Sequence, residues 1–258
     1  MLWYKSWLET RWRFLIGFAI LLMLACGIVL EYPATRQMMP LAKSIGSAPV
    51  NGRLARAIQD AVEIQRDYRG FVWYQWVRQN LAQTWTLFAV LLGSGGLLAR
   101  STGAEMLFTL SLPVRRRDIL GIRALTGLAE LFALALVPTL FIALLSPSIG
   151  EHYGVADALV HGVCVFIGGT IFYCLALLLS TVFSDIWRPA LIACAAAVAM
   201  AGFEALTVNG SRFGIFGAMT AESYFRTGAL PWPGLLVSAG ASAALFYSAL
   251  LNRNQLEV

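Results

Sequence analysis

The chain has 258 residues, of which 59% are apolar and 13% charged, with a formal net charge of +5. Ordinary soluble domains carry roughly 45–50% apolar and about 25% charged residues, so this composition excludes one and points to an integral membrane protein. At about 20 residues per lipid-crossing helix the length holds roughly five to seven spans and no second globular domain. The only lysines, Lys5 and Lys43, follow no glycine-rich phosphate loop, which excludes a Walker-type ATPase site.

In chain order, Met1 to Arg13 sets Leu2, Trp3, Trp7, Leu8 and Trp12 among Lys5, Glu9, Arg11 and Arg13. That mixture predicts a short interfacial helix in the headgroup layer on the cytoplasmic side. The first span is predicted over 14–30; Met23-Leu24-Ala25-Cys26 resembles a lipoprotein cleavage box but reads as part of a retained anchor. Residues 31–78 form a polar external segment opening at Pro33 and Pro40, and Phe71, Trp73, Tyr74 and Trp76 cluster where the chain re-enters lipid, as amphipathic rings do at the interface. The second span is predicted over 81–98.

From Arg100 to Arg123 five arginines outweigh Glu105 and Asp118, so this loop, 99–123, is expected in the cytoplasm. Spans three to six follow at 124–145, 159–183, 189–206 and 231–251, joined by a loop 146–158 that carries no Lys or Arg, the tight turn Ser184 to Arg188, and a Gly-rich connection 207–229. The fold class is therefore all-α integral membrane, one transmembrane domain of six helices with both termini cytoplasmic. Basic residues support this orientation by density: seven of the nine outer Lys/Arg are diluted over the long first loop.

Ionisable groups within spans cost about 2.5–3.5 kcal/mol each at a helix centre and need a reason to be there. Glu130 reads as a pathway or cation-binding group, or as the partner of a basic residue such as Arg123 near the interface. Glu204 lies at the outer end of the fifth span, where it can reach water, and His161 opens the fourth, where hydrogen-bonded structure is the commoner role. Cys26, Cys164, Cys174 and Cys194 read as small buried hydrophobes, and no metal-binding cluster is recognisable. Gly93-Ser94-Gly95-Gly96 and Gly168-Gly169-Thr170 suit close helix packing.

The densest motif is Leu110-Ser111-Leu112-Pro113-Val114-Arg115-Arg116-Arg117. Pro113 suits a first helical turn, with Val114, Asp118, Ile119 and Ile122 to anchor the helix and three arginines to project from it. A topology signal needs only the charge; a docking surface uses the apolar residues too. Taken with Trp12-Arg13-Phe14, Ala89 to Gly93, Ala99-Arg100, Gly103, Arg123-Ala124-Leu125, Ser184 to Ala190 and Leu230-Pro231-Trp232, this motif makes the chain resemble the membrane subunit of ABC-2 type transporters over nearly its whole length. Serine follows the basic residue in Arg100-Ser101-Thr102-Gly103, where the family pattern has an acid.

The resemblance implies a permease of the cytoplasmic (inner) membrane, an exporter subunit that pairs with a second copy or paralogue. It also implies a separate ATP-binding subunit that holds ATP and magnesium, with no cofactor on this chain and no nucleic acid as partner. Leu110, Ser111, Leu112, Pro113, Val114, Arg115, Arg116, Arg117 and Arg123 would then form the coupling helix, supported by Trp3, Trp7, Arg11, Trp12 and Arg13. Two readings compete: an intramembrane serine enzyme using Ser94 with His161, and a membrane scaffold or sensor acting through the external segment.

Overall fold

The computed structural model describes residues 2–46, 60–94, 116–183, 185, 187–206 and 213–255. Every regular element among them is helical. Five helices are long and apolar enough to cross a membrane, over Ser6–Gln37, Leu120–Ile149, Val155–Val182, Trp187–Leu206 and Trp232–Asn252. A helix bonds every backbone polar group internally, which is what apolar runs of this length require in lipid.

Helix α1 (Leu2–Gly46) is one unbroken helix of 45 residues. The two breaks expected from sequence, after Arg13 and at Pro33, are absent. No glycine or proline parts Arg13 from Phe14. Pro33 removes one hydrogen bond and strains its own turn. Packing carries the helix through it: Val29 and Tyr32 are buried, and the Tyr32 ring sits 4.7 Å from that of Tyr68 and 5.1 Å from that of Phe71.

Helix α2 returns antiparallel to α1 in three successive windings, Tyr68–Phe71, a π-helical stretch Val72–Leu81, and Ala82–Gly93. The second span expected from sequence falls on its latter half, and residues 95–98 lie outside the described residues. Among the described residues five helices meet the length and apolarity of a span, and α2, divided into these windings, is not one of them. The aromatic group at the start of α2 is not an interfacial belt. Phe71, Trp73 and Trp76 are fully buried, and each indole N–H finds a protein acceptor: Trp73 Nε1 donates to the Thr220 carbonyl at 2.8 Å and Trp76 Nε1 to the Thr139 hydroxyl at 3.1 Å. A buried indole needs an acceptor, and here neighbouring helices take the place of headgroups.

Helix α3 (Arg116–Leu145) runs antiparallel to α2 and contains Pro138. Beside the bond that Pro138 omits, the Thr139 hydroxyl donates to the Ala135 carbonyl while accepting from Trp76. A 3₁₀ turn at Ser146–Ile149 ends in Gly150 at φ 78°, a left-handed conformation that favours glycine. Helix α4 (Val155–Val182) is the centre of the bundle, packed by α2, α3 and α8. Its Gly169 lies under the Trp85 ring so closely that a Cβ there would come within 2.2 Å of Trp85 Cζ3. Small residues let helices meet this closely where apolar transfer gives no drive for association.

Helix α5 (Trp187–Leu206) turns Leu191, Val198, Phe203 and Leu206 outward, as a lipid-facing surface requires. Two short helices, α6 (Ile215–Met219) and α7 (Glu222–Thr227), cap the same end as Tyr68, and α8 (Trp232–Gln255) then runs parallel to α4. Its Ser238 hydroxyl donates to the Gly168 carbonyl at 2.6 Å, and Asn252 Nδ2 donates to the Thr181 hydroxyl at 3.2 Å. The bundle thus has an N-terminal end, with residues 2–13, 94, 116–123, 185 and 187–188, and a Tyr68 end.

Candidate functional site

Leu110, Ser111, Leu112, Pro113, Val114 and Arg115 lie outside the described residues, and Arg116 and Arg117 open α3. Asp118, Ile119 and Ile122 follow in the same helix, so from Arg116 onward the basic segment and the third span are one rod. Arg123 sits two turns along. The Tyr173 hydroxyl on α4 reaches its carbonyl at 3.5 Å and that of Ala124 at 3.4 Å, fixing α3 against the bundle centre.

Both helices that flank residues 95–115 are held by the first turns of α1. Arg13 Nη1 donates to the Leu91 carbonyl, near the end of α2, at 2.7 Å. One turn earlier, Thr10 Oγ1 meets Glu130 Oε1 on α3. Glu130 is 4% exposed, its Oε2 has no hydrogen-bond partner, and its Oε1 is met by Thr10, while the charge of Arg123 acts on it from the same helix. Trp3, Trp7 and Trp12 remain exposed on the outer side of α1, with the Arg11 guanidinium 5.6 Å from the centre of the Trp12 ring and the Trp7 ring 5.5 Å from Phe14. Ser6, Thr10 and Arg13 follow at helical spacing, but nothing in that spacing names Glu130 or Leu91 as partners.

A second polar cluster closes the Tyr68 end. Arg69 grips Asp157 with two nitrogens, Nε at 2.9 Å and Nη2 at 3.0 Å, and the Tyr224 hydroxyl donates to the same carboxylate at 3.0 Å. These bonds tie α2, α4 and α7 together. His161, fully buried, has Nδ1 2.6 Å from the Asp157 carbonyl and 3.2 Å from the Tyr153 hydroxyl. The shorter contact assigns the proton to Nδ1, which leaves Nε2 as an acceptor without a partner. Burial first, then the nearby negative Asp157, pushes the Tyr153 hydroxyl far above the ordinary phenol range, so it stays neutral.

This cluster predicts a measurable effect. Asp157→Ala removes the shared acceptor of Arg69 and Tyr224, and limited tryptic cleavage at the exposed Arg226 of α7 in detergent should rise about fivefold. That is the worth of roughly 1 kcal/mol, since Arg69 is half-exposed and solvent screens the pair. Unchanged cleavage would mean that α7 is held by the stacking of Trp73 on Phe225, centroids 4.4 Å apart, alone.

Glu204 does not turn to water. Its carboxylate accepts the backbone N–H groups of Ile215 at 2.6 Å, Phe216 at 3.2 and 3.1 Å, and Gly217 at 3.2 Å. The first N–H groups of a helix have no partner within it, and the positive end of α6 favours an anion.

Ser94 and His161 are not brought together. Ser94 ends α2 at the N-terminal end, beside Gly93, whose nearest neighbours on α4 are Tyr173, Ala176 and Leu177. His161 lies at least twelve residues back along α4, about 18 Å away at 1.5 Å per residue, so no serine–histidine pair forms. Among the described residues, no group of three His, Cys, Asp or Glu side chains is placed to hold a metal ion. Comparison of the chain with protein-family models, curated proteins and solved structures gives no match.

Proposed function

We propose that the chain is the membrane subunit of an ABC-2 type exporter, driven by a separate ATP-binding subunit and paired with a second permease copy or paralogue in the inner membrane. In this reading α2 makes a sixth crossing, the N-terminal end of the bundle is cytoplasmic, and residues 110–123 dock the ATP-binding subunit. The observation that carries it is the double grip of α1, through Arg13 on Leu91 and Thr10 on Glu130, on the two helices that flank the arginine-rich loop.

A lipid-binding or topology-setting loop needs only its charges. A loop that transmits force needs both of its roots fixed to one rigid body, so that a push does not dissipate in bending. Here α1, α2 and α3 are joined at the roots of the loop, and Trp85 Nε1 joins α2 to α3 again at the Leu131 carbonyl, 2.9 Å away. Closure of the ATP-binding subunits would move these three helices as a block against α4 and open an outward path beside it. The bond chemistry belongs to the partner; this chain binds, transmits and lines the path.

The test is affinity purification of the tagged chain from its native host, with bound proteins identified by mass spectrometry. An ATP-binding cassette subunit should accompany the wild type and be lost with the double variant Arg115→Glu, Arg116→Glu, which should still insert into the membrane. Retention of that subunit by the double variant, or its absence from the wild type, would sink the reading.

A further inference from the structure

We propose that the outer face of α2 is the wall of a water-filled path and that Arg78 on it binds the anionic group of the cargo, a carboxylate or a phosphate. Resting on the transport reading, this adds the chemical class of what is carried. Tyr74 is half-buried on this face, and Arg78, Gln79 and Gln83 are exposed. Trp73, Trp76, Val77, Leu81 and Trp85 are buried on the other.

The face exists because of the π winding over Val72–Leu81. In an α-helix nine residues make about two and a half turns, so Tyr74 and Gln83 would point to opposite sides. A π turn, bonded from i to i+5, holds more residues, and the same nine make about two turns. Tyr74, Arg78, Gln79 and Gln83 thereby fall on one side while the three tryptophans fall together on the other. Asn80 supports the wide turn by donating Nδ2 to the Gln75 carbonyl, five residues back, at 2.6 Å. Such winding is rare and gathers at functional sites.

Depth decides what this face meets. Trp76 bonds to Thr139 and Trp85 to the Leu131 carbonyl, both well inside the span Leu120–Ile149. Arg78 and Gln83, each two residues from one of those tryptophans, therefore lie at membrane depth. Turned to lipid, a guanidinium and two amides would leave their donors unpaired, whereas ionisable groups at such depth line wet cavities or protein. Arg36, Arg69 and Arg226 each meet a carboxylate. Among the described residues Arg78 meets rings instead, its guanidinium carbon 5.8 Å from the centre of Trp73 and 5.6 Å from that of Tyr74. Rings steady a guanidinium without neutralising it, and its fork of donors matches a carboxylate or phosphate. Snorkelling toward the Tyr68 end would account for Arg78 alone. Gln79 and Gln83 carry the polar face further in, where a resting lipid has acyl chains, so the occupant is a passing cargo and not a headgroup.

The test is the charge preference of thiol reagents on the purified chain in phosphatidylcholine nanodiscs, without an ATP-binding subunit. Gln83→Cys, and Leu191→Cys on the lipid-facing side of α5, are treated with a sulfonate-bearing and a trimethylammonium-bearing methanethiosulfonate. Labelling at each position is followed by mass spectrometry, with rates taken relative to a free thiol. Gln83→Cys should prefer the anionic reagent about tenfold; adding Arg78→Gln should abolish the preference and adding Arg78→Lys should keep it. Leu191→Cys should react with neither. A Gln83→Cys as inert as Leu191→Cys would place the face in lipid, and a preference that survives Arg78→Gln would take Arg78 out of the site; either overturns the proposal. So does an equal loss of both reactions when phosphatidylglycerol is added, which would make the occupant a lipid. Each of these results can coexist with recovery of the ATP-binding subunit, so failure here is distinct from failure of the transport reading.

Discussion

Trp85→Ala lowers the stability of the bundle by about 3 kcal/mol, read as a shift in detergent unfolding followed by circular dichroism. Trp85 is fully buried at the meeting point of α2, α3 and α4, and it makes two kinds of contact. Its ring fills the notch over Gly169, and its Nε1 donates to the Leu131 carbonyl at 2.9 Å. Helices that unfold within lipid or detergent keep their apolar surface out of water, so loss of packing dominates the cost and the cavity cannot be offset by hydration. Two controls separate the contacts. Trp85→Phe keeps most of the volume and should cost about 1 kcal/mol for the hydrogen bond. Gly169→Val attacks the notch from the other side and should cost about 1–3 kcal/mol by overpacking, with the indole bond still present. A Trp85→Ala variant as stable as the wild type would mean that α2 and α4 do not meet as described.

Glu204→Ala releases α6, and the amides of Ile215, Phe216 and Gly217 then exchange with solvent deuterium about thirtyfold faster, the equivalent of roughly 2 kcal/mol. Three backbone N–H groups lose one charged acceptor together. Glu204→Gln keeps one oxygen but points an amide N–H₂ at the remaining donors, so it should fall between alanine and the wild type. Because Met219 packs against Gly168, release of α6 also uncovers the face of α4 from which α8 hangs. Equal exchange in all three proteins would show that packing, and not the carboxylate, holds this segment.

Much of the fold is legible in the chain because the signal is local. The apolar runs that become α1, α3, α4, α5 and α8 are long and uncharged at their centres, and lipid leaves them one regular conformation. What was not legible depends on partners distant in sequence. Trp73 and Trp76 look the same whether they meet headgroups or a core; the acceptors that decide, Thr220 and Thr139, lie 147 and 63 residues away. Pro33 reads as a stop because the rings that hold α1 together beyond it belong to α2. Glu204 reads as water-seeking because α6, which it serves, is too short to register as a helix from composition. The arginine-rich loop stands out at once and Arg13 with it, whereas Thr10 is an unremarkable polar residue, and the acceptors of both, Glu130 and the Leu91 carbonyl, are known only once the helices are side by side.

Helix α1, with 45 residues at about 1.5 Å each, is close to 67 Å long, more than twice the roughly 30 Å of a bilayer's hydrocarbon core. It therefore projects from the lipid, and its bonded positions sit far apart: Thr10 on Glu130 near one end, Arg36 on Glu151 near the other, about 39 Å along the axis. Between those bonds Leu21, Ala25, Val29 and Tyr32 are buried against the bundle, so a single unbroken element, packed along its length, joins the two polar ends of the protein.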